Sequence, residues 1–264
     1  MDLATITPLI LTYNEEPNID RTLSKLTWAK EIIVIDSFSS DKTLEIIENY
    51  SNVKLYQRKF DTHAQQWNYG LQQVNSQWVL SMDADYCLTE DLLDEIKNQK
   101  SNSLADGYFI PFKYCVFGKP LTQTILPPRQ CLFLKHQAIY IDDGHTQLLE
   151  NKGQTSYLNY PIYHDDRKPL SRWLWAQDRY MVLEVEKILK TPTNELSIGD
   201  KIRKQIIIAP FIILIYCLIV KGGIFDGWHG WYYAFQRMFA EILLSLRLIE
   251  SRYFHTPSPQ NSKD

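Results

Sequence analysis

Short apolar runs of strand length alternate with helical stretches throughout residues 1–100, and that rhythm constrains the fold more than any other property of the chain. Residues 31–36, Glu-Ile-Ile-Val-Ile-Asp, are the clearest buried strand. Residues 5–12, 53–58 and 77–82 read as further strands, and residues 18–28, 41–50 and 63–74 as helices. Ile19, Leu23 and Leu26 share one side of the first helix; Asp41 is placed to cap the second, and Thr89 caps a fourth running through Lys97. Strands separated by single helices imply right-handed β-α-β crossovers. The expected fold is α/β, a mostly parallel central sheet flanked by helices.

In an open parallel sheet, ligands bind beyond the carboxyl ends of the strands. Thr12, Tyr13, Asn14, Glu15 and Glu16 follow the first strand, Asp36-Ser-Phe-Ser-Ser-Asp41 the second, and Asp83-Ala84-Asp85 the fourth. Three strand ends thus bring carboxylates and small hydroxyls to one edge. Acids so crowded repel one another unless a cation joins them. A hard divalent ion, Mg²⁺ or Mn²⁺, takes carboxylate oxygens and keeps positions open for phosphate. An Asp-x-Asp triplet alone is more often a solvated turn; its place after an apolar strand, level with two other acid-bearing strand ends, favours a site.

Several classes drop out. No Gly-rich phosphate loop follows the first strand, which counts against a dehydrogenase and a P-loop enzyme. Lys+Arg 28 against Asp+Glu 31 leaves a net charge of -3, which excludes nucleic-acid binding by bulk electrostatics. Cys87, Cys115, Cys131 and Cys217 form no C-x-x-C pair and read as reduced core thiols of a cytosolic protein.

Leu11-Thr-Tyr-Asn-Glu15, Glu31-Ile-Ile-Val-Ile-Asp-Ser-Phe-Ser-Ser-Asp-Lys-Thr43 and Trp78-Val-Leu-Ser-Met-Asp-Ala-Asp85 together resemble glycosyltransferase family 2. His63-Ala-Gln-Gln-Trp-Asn-Tyr-Gly70 is similar to the family's helix before the Asp-x-Asp strand, and Asp-Ser-Phe-Ser-Ser-Asp resembles the branch of lipopolysaccharide-core β-1,4-glucosyltransferases. The resemblance is strong over residues 1–100, looser through residues 108–150 and suggestive at the C-terminus. It implies a GT-A fold, an inverting mechanism, a nucleotide-sugar donor (usually UDP-linked) and a divalent metal, Mg or Mn. It places Thr12, Tyr13, Asn14, Glu15, Asp36, Ser39, Asp41, Gln66, Asn68, Asp83, Ala84 and Arg129 around the nucleotide. Asp36 falls where a carboxylate accepts the uracil N–H, Asp83 where the first Asp meets ribose or metal, and Asp85 where the second binds the metal between the donor phosphates.

Displacement with inversion needs a base for the acceptor hydroxyl. The candidate stretch is Tyr140-Ile-Asp-Asp-Gly-His-Thr-Gln147, with Asp143 favoured, then Asp142, then His145; a surface Asp-Asp-Gly turn is the plain alternative. His164 is a candidate nitrogen ligand to the metal, against a structural role, and Arg129 and Arg167 are candidate phosphate clamps, against surface charge pairs. Processive relatives carry Gln-x-x-Arg-Trp; Trp175-Ala-Gln-Asp-Arg179-Tyr departs from it, which favours a single sugar per encounter. Trp173 and Trp175 are expected in the core.

The domain expectation is a GT-A domain over residues 1–195 (a nucleotide-binding half, 1–100, and an acceptor half, 101–195), a helical membrane-associated or dimerisation region over 196–255, and a disordered tail, 256–264. The N-terminus has no basic stretch before an apolar one, so no secretory signal is expected. Residues 206–220 are uncharged, broken by Pro210 and flanked by Lys201, Arg203, Lys204 and Lys221. At about 22 Å as a helix against about 30 Å of hydrocarbon, they are too short for a comfortable span. A buried core helix and an interfacial segment both fit. Two helices are expected between residues 201 and 253, joined by Gly222-Gly-Ile-Phe-Asp-Gly227. The combined expectation is one hexose moved from a UDP-sugar to a cell-envelope glycan or lipid-linked acceptor such as lipopolysaccharide core. The protein would sit in the cytoplasm against the inner face of the cytoplasmic membrane, as a possible homodimer. A polyprenyl-phosphate sugar synthase, needing no base, and a non-catalytic sugar-nucleotide-binding protein are the alternatives.

Overall fold

The computed structural model describes residues 1–99, 105–122, 124–143 and 146–253. The chain divides into two compact units between Lys168 and Pro169. Helix Leu170–Lys190, grouped with residues 101–195 on sequence grounds, lies in the second unit, where it packs on the long C-terminal helix.

The first unit begins β1 (Ile6–Thr12), α1 (Ile19–Ser24), β2 (Ile32–Asp36), α2 (Thr43–Ile47), β3 (Val53–Gln57), α3 (His63–Gln73) and β4 (Trp78–Asp83). There follow β5 (Tyr86–Leu88), α4 (Glu90–Asn98), β6 (Gly107–Ile110), β7 (Phe112–Val116), β8 (Lys119–Pro120) and β9 (Arg129–Leu134). The unit closes with β10 (Ala138–Asp143), β11 (Thr146–Asn151), β12 (Thr155–Tyr157) and β13 (Ile162–His164). The described residues form a seven-stranded sheet in the order β12-β6-β9-β4-β1-β2-β3. Its β4-β1-β2-β3 half is parallel, while β9 runs antiparallel to both β4 and β6. This is the expected α/β arrangement.

The parallel strands are apolar on both faces because helices cover both. Ile10, Ile32 and Val34 pack with Ile19, Leu23 and Leu26, whereas Leu9, Ile33 and Ile35 meet Trp67 and Leu71 of α3 and Tyr140 of the β10–β11 hairpin. At Gly70 a Cβ would lie 2.7 Å from Leu9 Cδ1, so glycine is what lets α3 approach β1 so closely.

Two boundaries differ from the sequence reading. Helix α1 stops at Ser24, and tight turns such as Leu26 N–H to Leu23 O (2.9 Å) carry Leu26 into the core without further α-helix. The N-cap of α2 is Lys42; Asp41 instead accepts from Thr43 N at 3.0 Å. Thr89 does cap α4, accepting from Leu92 N at 3.2 Å.

The second unit contains α5 (Leu170–Lys190), α6 (Ile198–Arg203), α7 (Ala209–Ile215) and α8 (Trp228–Tyr253). Val185, Ile188, Ile206, Leu244 and Leu248 form its core, and Arg203 joins three helices through Glu241 (2.8 Å), Asp200 (3.1 Å) and Glu184 (3.8 Å). Residues 206–220 are not one helix. Ile206 sits at φ +68°, Pro210 occupies the first turn of α7, and Tyr216–Val220 is a wider π-turn. Nor is the run a core helix: Ala209, Pro210, Cys217 and Leu218 are buried, while Ile207, Phe211, Ile215 and Ile219 are exposed. Among the described residues no helix is long and apolar enough to cross a membrane. Trp173 packs near Phe239, but Trp175 is 47% exposed beneath the guanidiniums of Arg172 and Arg179, correcting its expected core position. The four cysteines are free. The expected disordered tail, residues 256–264, lies outside the described residues.

Candidate active site

Strand register brings the acid-bearing loops together: Thr12 pairs with Asp36 across β1 and β2, and Leu11 with Asp83 across β1 and β4. The first two loops are laced to each other. Asn14 N donates to Ser39 Oγ (2.8 Å), Ser40 N to Asn14 Oδ1 (2.8 Å), Glu15 N to Thr43 Oγ1 (2.7 Å) and Glu16 N to Asp41 Oδ2 (3.1 Å). Asn14 holds a left-handed conformation at φ 54°, which a short amide side chain tolerates. Asn14 and Ser39 therefore shape this edge by bonding each other, and Asp41 by accepting from Glu16 N and Thr43 N. Asp36 is fully buried; its oxygens accept from Ser39 N (2.9 Å), Ser39 Oγ (2.5 Å) and Gln57 Nε2 (3.1 Å).

Gln66 is buried too, donating to Ser37 Oγ (3.0 Å) and Arg58 O (3.1 Å). Asn68 spends its amide on the backbone of Tyr140 in β10, donating at 2.8 Å and accepting at 3.0 Å. It fastens the hairpin to α3. Ala84 contributes its carbonyl to Thr22 Oγ1 at 2.7 Å. Tyr13 is 45% exposed, and Thr12 Oγ1 is buried with no hydrogen-bond partner.

Beyond β4 the chain presents Asp83 and Asp85 differently. Asp85 is buried; its Oδ2 lies 3.0 Å from His164 Nε2, and its Oδ1 has no partner. Burial alone pushes a carboxyl up, but the His164 charge and hydrogen bond hold Asp85 below the usual carboxylate range. Burial likewise favours neutral imidazole, yet Asp85 raises His164 above its ordinary value. Tyr86 and Tyr114 meet the His164 ring edge-on, at 5.3 and 5.0 Å between centroids, and fix its plane. Asp83 is turned instead towards Arg129, whose Nη1 lies 3.9 Å from Asp83 Oδ2 and donates to Tyr86 Oη at 2.9 Å.

Among the described residues no three His, Cys, Asp or Glu side chains surround one point. Of the expected trio, Asp85 and His164 are in contact, and Asp83 faces Arg129. The pair still fits a divalent ion. A buried carboxylate oxygen without a partner is costly, and Mg²⁺ is commonly held by one or two protein groups with substrate phosphates and water completing the shell.

The stretch containing the candidate base is the β10–β11 hairpin, with Asp142 opposite Gln147 and Asp143 opposite Thr146. Asp142 Oδ2 accepts from Thr62 Oγ1 at 3.2 Å, and Thr62 caps α3 just beyond β3. Asp142 thereby reaches the carboxyl edge of the sheet. His145 and Gly144 lie outside the described residues.

Sequence reasoning passed over Asn18, Arg21, Asp165, Asp166 and Lys168, which are bonded to Glu15 and to one another. Lys168 Nζ pairs with Glu15 Oε1 (2.5 Å); Asn18 Nδ2 donates to Glu15 Oε2 (2.9 Å) and Asp166 Oδ1 (3.0 Å). Asp165 is buried and takes Arg167 through Nε (3.0 Å) and Nη2 (2.8 Å), with Gly118 N at 3.1 Å. Arg167, a candidate phosphate clamp, is therefore committed to Asp165. The available signal was the run Asp165-Asp-Arg-Lys168 directly after a strand. Burial pushes Glu15 up to about 7, against the opposing charge of Lys168 and with help from Asp85.

Residues 9–150 match the family described as Glycosyl transferase family 2. They are more than half of the chain, and the chain belongs to that family. It is 32% identical over 104 residues to an uncharacterized glycosyltransferase of Rickettsia bellii, covering 39% of this chain and 35% of the relative. It is 34% identical over 98 residues to the poly-beta-1,6-N-acetyl-D-glucosamine synthase of Staphylococcus aureus, covering 34% of this chain and 24% of the synthase. The matched stretch therefore spans about a third or less of either relative. The crystal structure of S. aureus TarS 1-349 in complex with UDP-GlcNAc superposes with TM-score 0.50 at 17% identity, covering 94% of this chain and 91% of that one. The fold is that of the GT-A glycosyltransferases.

Proposed function

We propose that this chain is an inverting, metal-dependent glycosyltransferase that moves a single hexose from a UDP-sugar to a cell-envelope glycan or lipid-linked acceptor. The observation that carries this reading is the buried, unpartnered Asp85 Oδ1 beside His164 at the carboxyl edge of a parallel sheet. Asp85 and His164 would hold the divalent ion. When bound, it neutralises the charge that develops on the leaving diphosphate. Thr12 and Tyr13 line the nucleoside end, which Asp36 shapes through the Ser39 turn, and Asp83 meets ribose. Arg129, steadied by Tyr86, lies beside Asp83 and adds positive charge. Asp143, with Asp142 next to it, takes the proton of the acceptor hydroxyl as its oxygen attacks the anomeric carbon. That a fold relative was crystallised with UDP-GlcNAc agrees with a uridine donor.

A membrane-facing acceptor is supported by the second unit. Ile207, Phe211, Ile215, Ile219, Phe225 and Trp228 are all exposed, at 57–86%, and Lys201, Lys204 and Lys221 accompany them with no acid between residues 201 and 225. Apolar side chains ringed by cations and tryptophan suit the headgroup boundary of an anionic leaflet. The lipopolysaccharide-core acceptor follows only from the branch resemblance.

A thermal-shift panel of nucleotide-sugars with Mg²⁺ or Mn²⁺ tests the reading, because a ligand selective for the native state raises Tm. A UDP-sugar is expected to raise Tm only with metal. No shift with any nucleotide-sugar contradicts the proposal.

A further inference from the structure

Among the described residues, the cations near the carboxyl edge are mostly committed. Arg167 is held twice by Asp165, and Arg21 reaches Asn18 Oδ1 (2.9 Å) and the Asp165 carbonyl (2.6 Å). Lys168 differs. Its ammonium has three N–H donors, and its one hydrogen bond goes to Glu15 Oε1. The side chain is 17% exposed, which leaves the remaining donors a limited opening. Burial favours the neutral amine here, but Glu15, Asp166 and Asp85 keep the group a cation.

Lys168 is thus fastened to the acid in the loop that follows β1. A buried ion pair seldom stabilises a fold more than apolar packing of the same volume, and at Glu15 burial outweighs the lysine, leaving its carboxyl pushed up to about 7. Stability alone is therefore a weak reason for this lysine. A diphosphate arriving at the edge adds at least two negative charges beside Glu15, Asp83 and Asp85. A divalent ion held by Asp85 and His164 offsets part of that, and a fixed ammonium with unspent donors offsets more, with hydrogen bonds that a phosphate oxygen accepts strongly.

We propose that Lys168 is a donor-binding residue whose ammonium, anchored by Glu15, contacts the diphosphate of the nucleotide-sugar. This rests on the donor reading given above. Glu15 is then a positioning residue: it holds the ammonium at the edge and leaves the remaining N–H groups for phosphate.

The test is calorimetric titration of the full chain with uridine and with UDP, in Mn²⁺ and in EDTA, for wild type, Lys168→Met and Lys168→Arg. In Lys168→Met, affinity for UDP is expected to fall about 10- to 100-fold, in both Mn²⁺ and EDTA, with uridine affinity unchanged. Lys168→Arg is expected to keep most of the UDP affinity. Equal losses for uridine and UDP would reduce Lys168 to shaping the nucleoside end and overturn the proposal, as would UDP affinity unchanged in the Met variant. If wild type binds no UDP at all, the donor reading falls and this inference with it; if wild type binds and the Met variant binds equally, only this inference falls. If the Met variant unfolds, Lys168→Gln takes its place, with the same expected and contradicting results.

Discussion

Asp85 and His164 lie 79 residues apart in sequence and 3.0 Å apart in space, joined carboxylate to imidazole. The contact exists because β13 runs antiparallel to β5, which places His164 opposite Tyr86, and because Asp165 N donates to the Asp85 carbonyl at 3.0 Å. Backbone pairing fixes the strand; Tyr86 and Tyr114 fix the ring. One oxygen of Asp85 is answered by this arrangement, and the other is buried with no hydrogen-bond partner.

Glu15 gives a pH signature. Its folded pKa of about 7 lies above its ordinary 4.5, so between these values the native state binds more protons than the unfolded chain. This group's contribution therefore makes stability fall as pH rises from about 4.5 to about 7, and adds nothing further above that. Thermal melts of wild type and Glu15→Gln across pH 4–8 are expected to show wild type losing ground to the variant over that window. A constant difference contradicts the shift.

The hairpin acids separate a hydroxyl acceptor from a phosphate one. Asp143→Asn is expected to lower turnover at least 100-fold with donor affinity unchanged, since removing a positioned base costs about 10²–10⁴. Turnover close to wild type would point to an acceptor needing no deprotonation.

On the second unit, Phe211→Ser with Phe225→Ser is expected to weaken partitioning onto anionic vesicles at least tenfold, because each exposed ring otherwise gains about 1.5–3 kcal/mol on leaving water. Equal sedimentation of both proteins with vesicles would discard the lipid-facing role of this face.

Gly230 is a packing constraint. A Cβ there would fall 1.8 Å from Gly223 O, in the 3₁₀ turn that precedes α8, and that neighbour is backbone. Gly230→Ala is expected to destabilise the second unit by about 1–3 kcal/mol, read by denaturant melts. A neutral effect would mean that the turn yields.

Sequence and structure agree where local pattern decides. The runs that became β1, β2 and β4 are apolar, bounded by acids and covered on both faces, so their existence and their loaded carboxyl ends were legible. Tertiary partners were not. Nothing in the spacing of Asn68 announces that its amide would be taken by Tyr140, 72 residues on, or that Lys168 would meet Glu15 across 153 residues. Asp83 and Asp85 look equivalent in a triplet, but one chain bend turns the first to Arg129 and the second to His164. The apolar run near Pro210 has helical composition throughout, and only the positive φ of Ile206 and the π-turn at Tyr216–Val220 divide it.

The most direct measurement is Mn²⁺-dependent UDP binding by wild type and Asp85→Asn, a change that keeps side-chain volume while removing the charge. Wild type is expected to bind UDP at least 100-fold more tightly with Mn²⁺ than with EDTA, and Asp85→Asn to lose that difference. A variant that binds UDP with undiminished metal dependence would contradict the account at its centre.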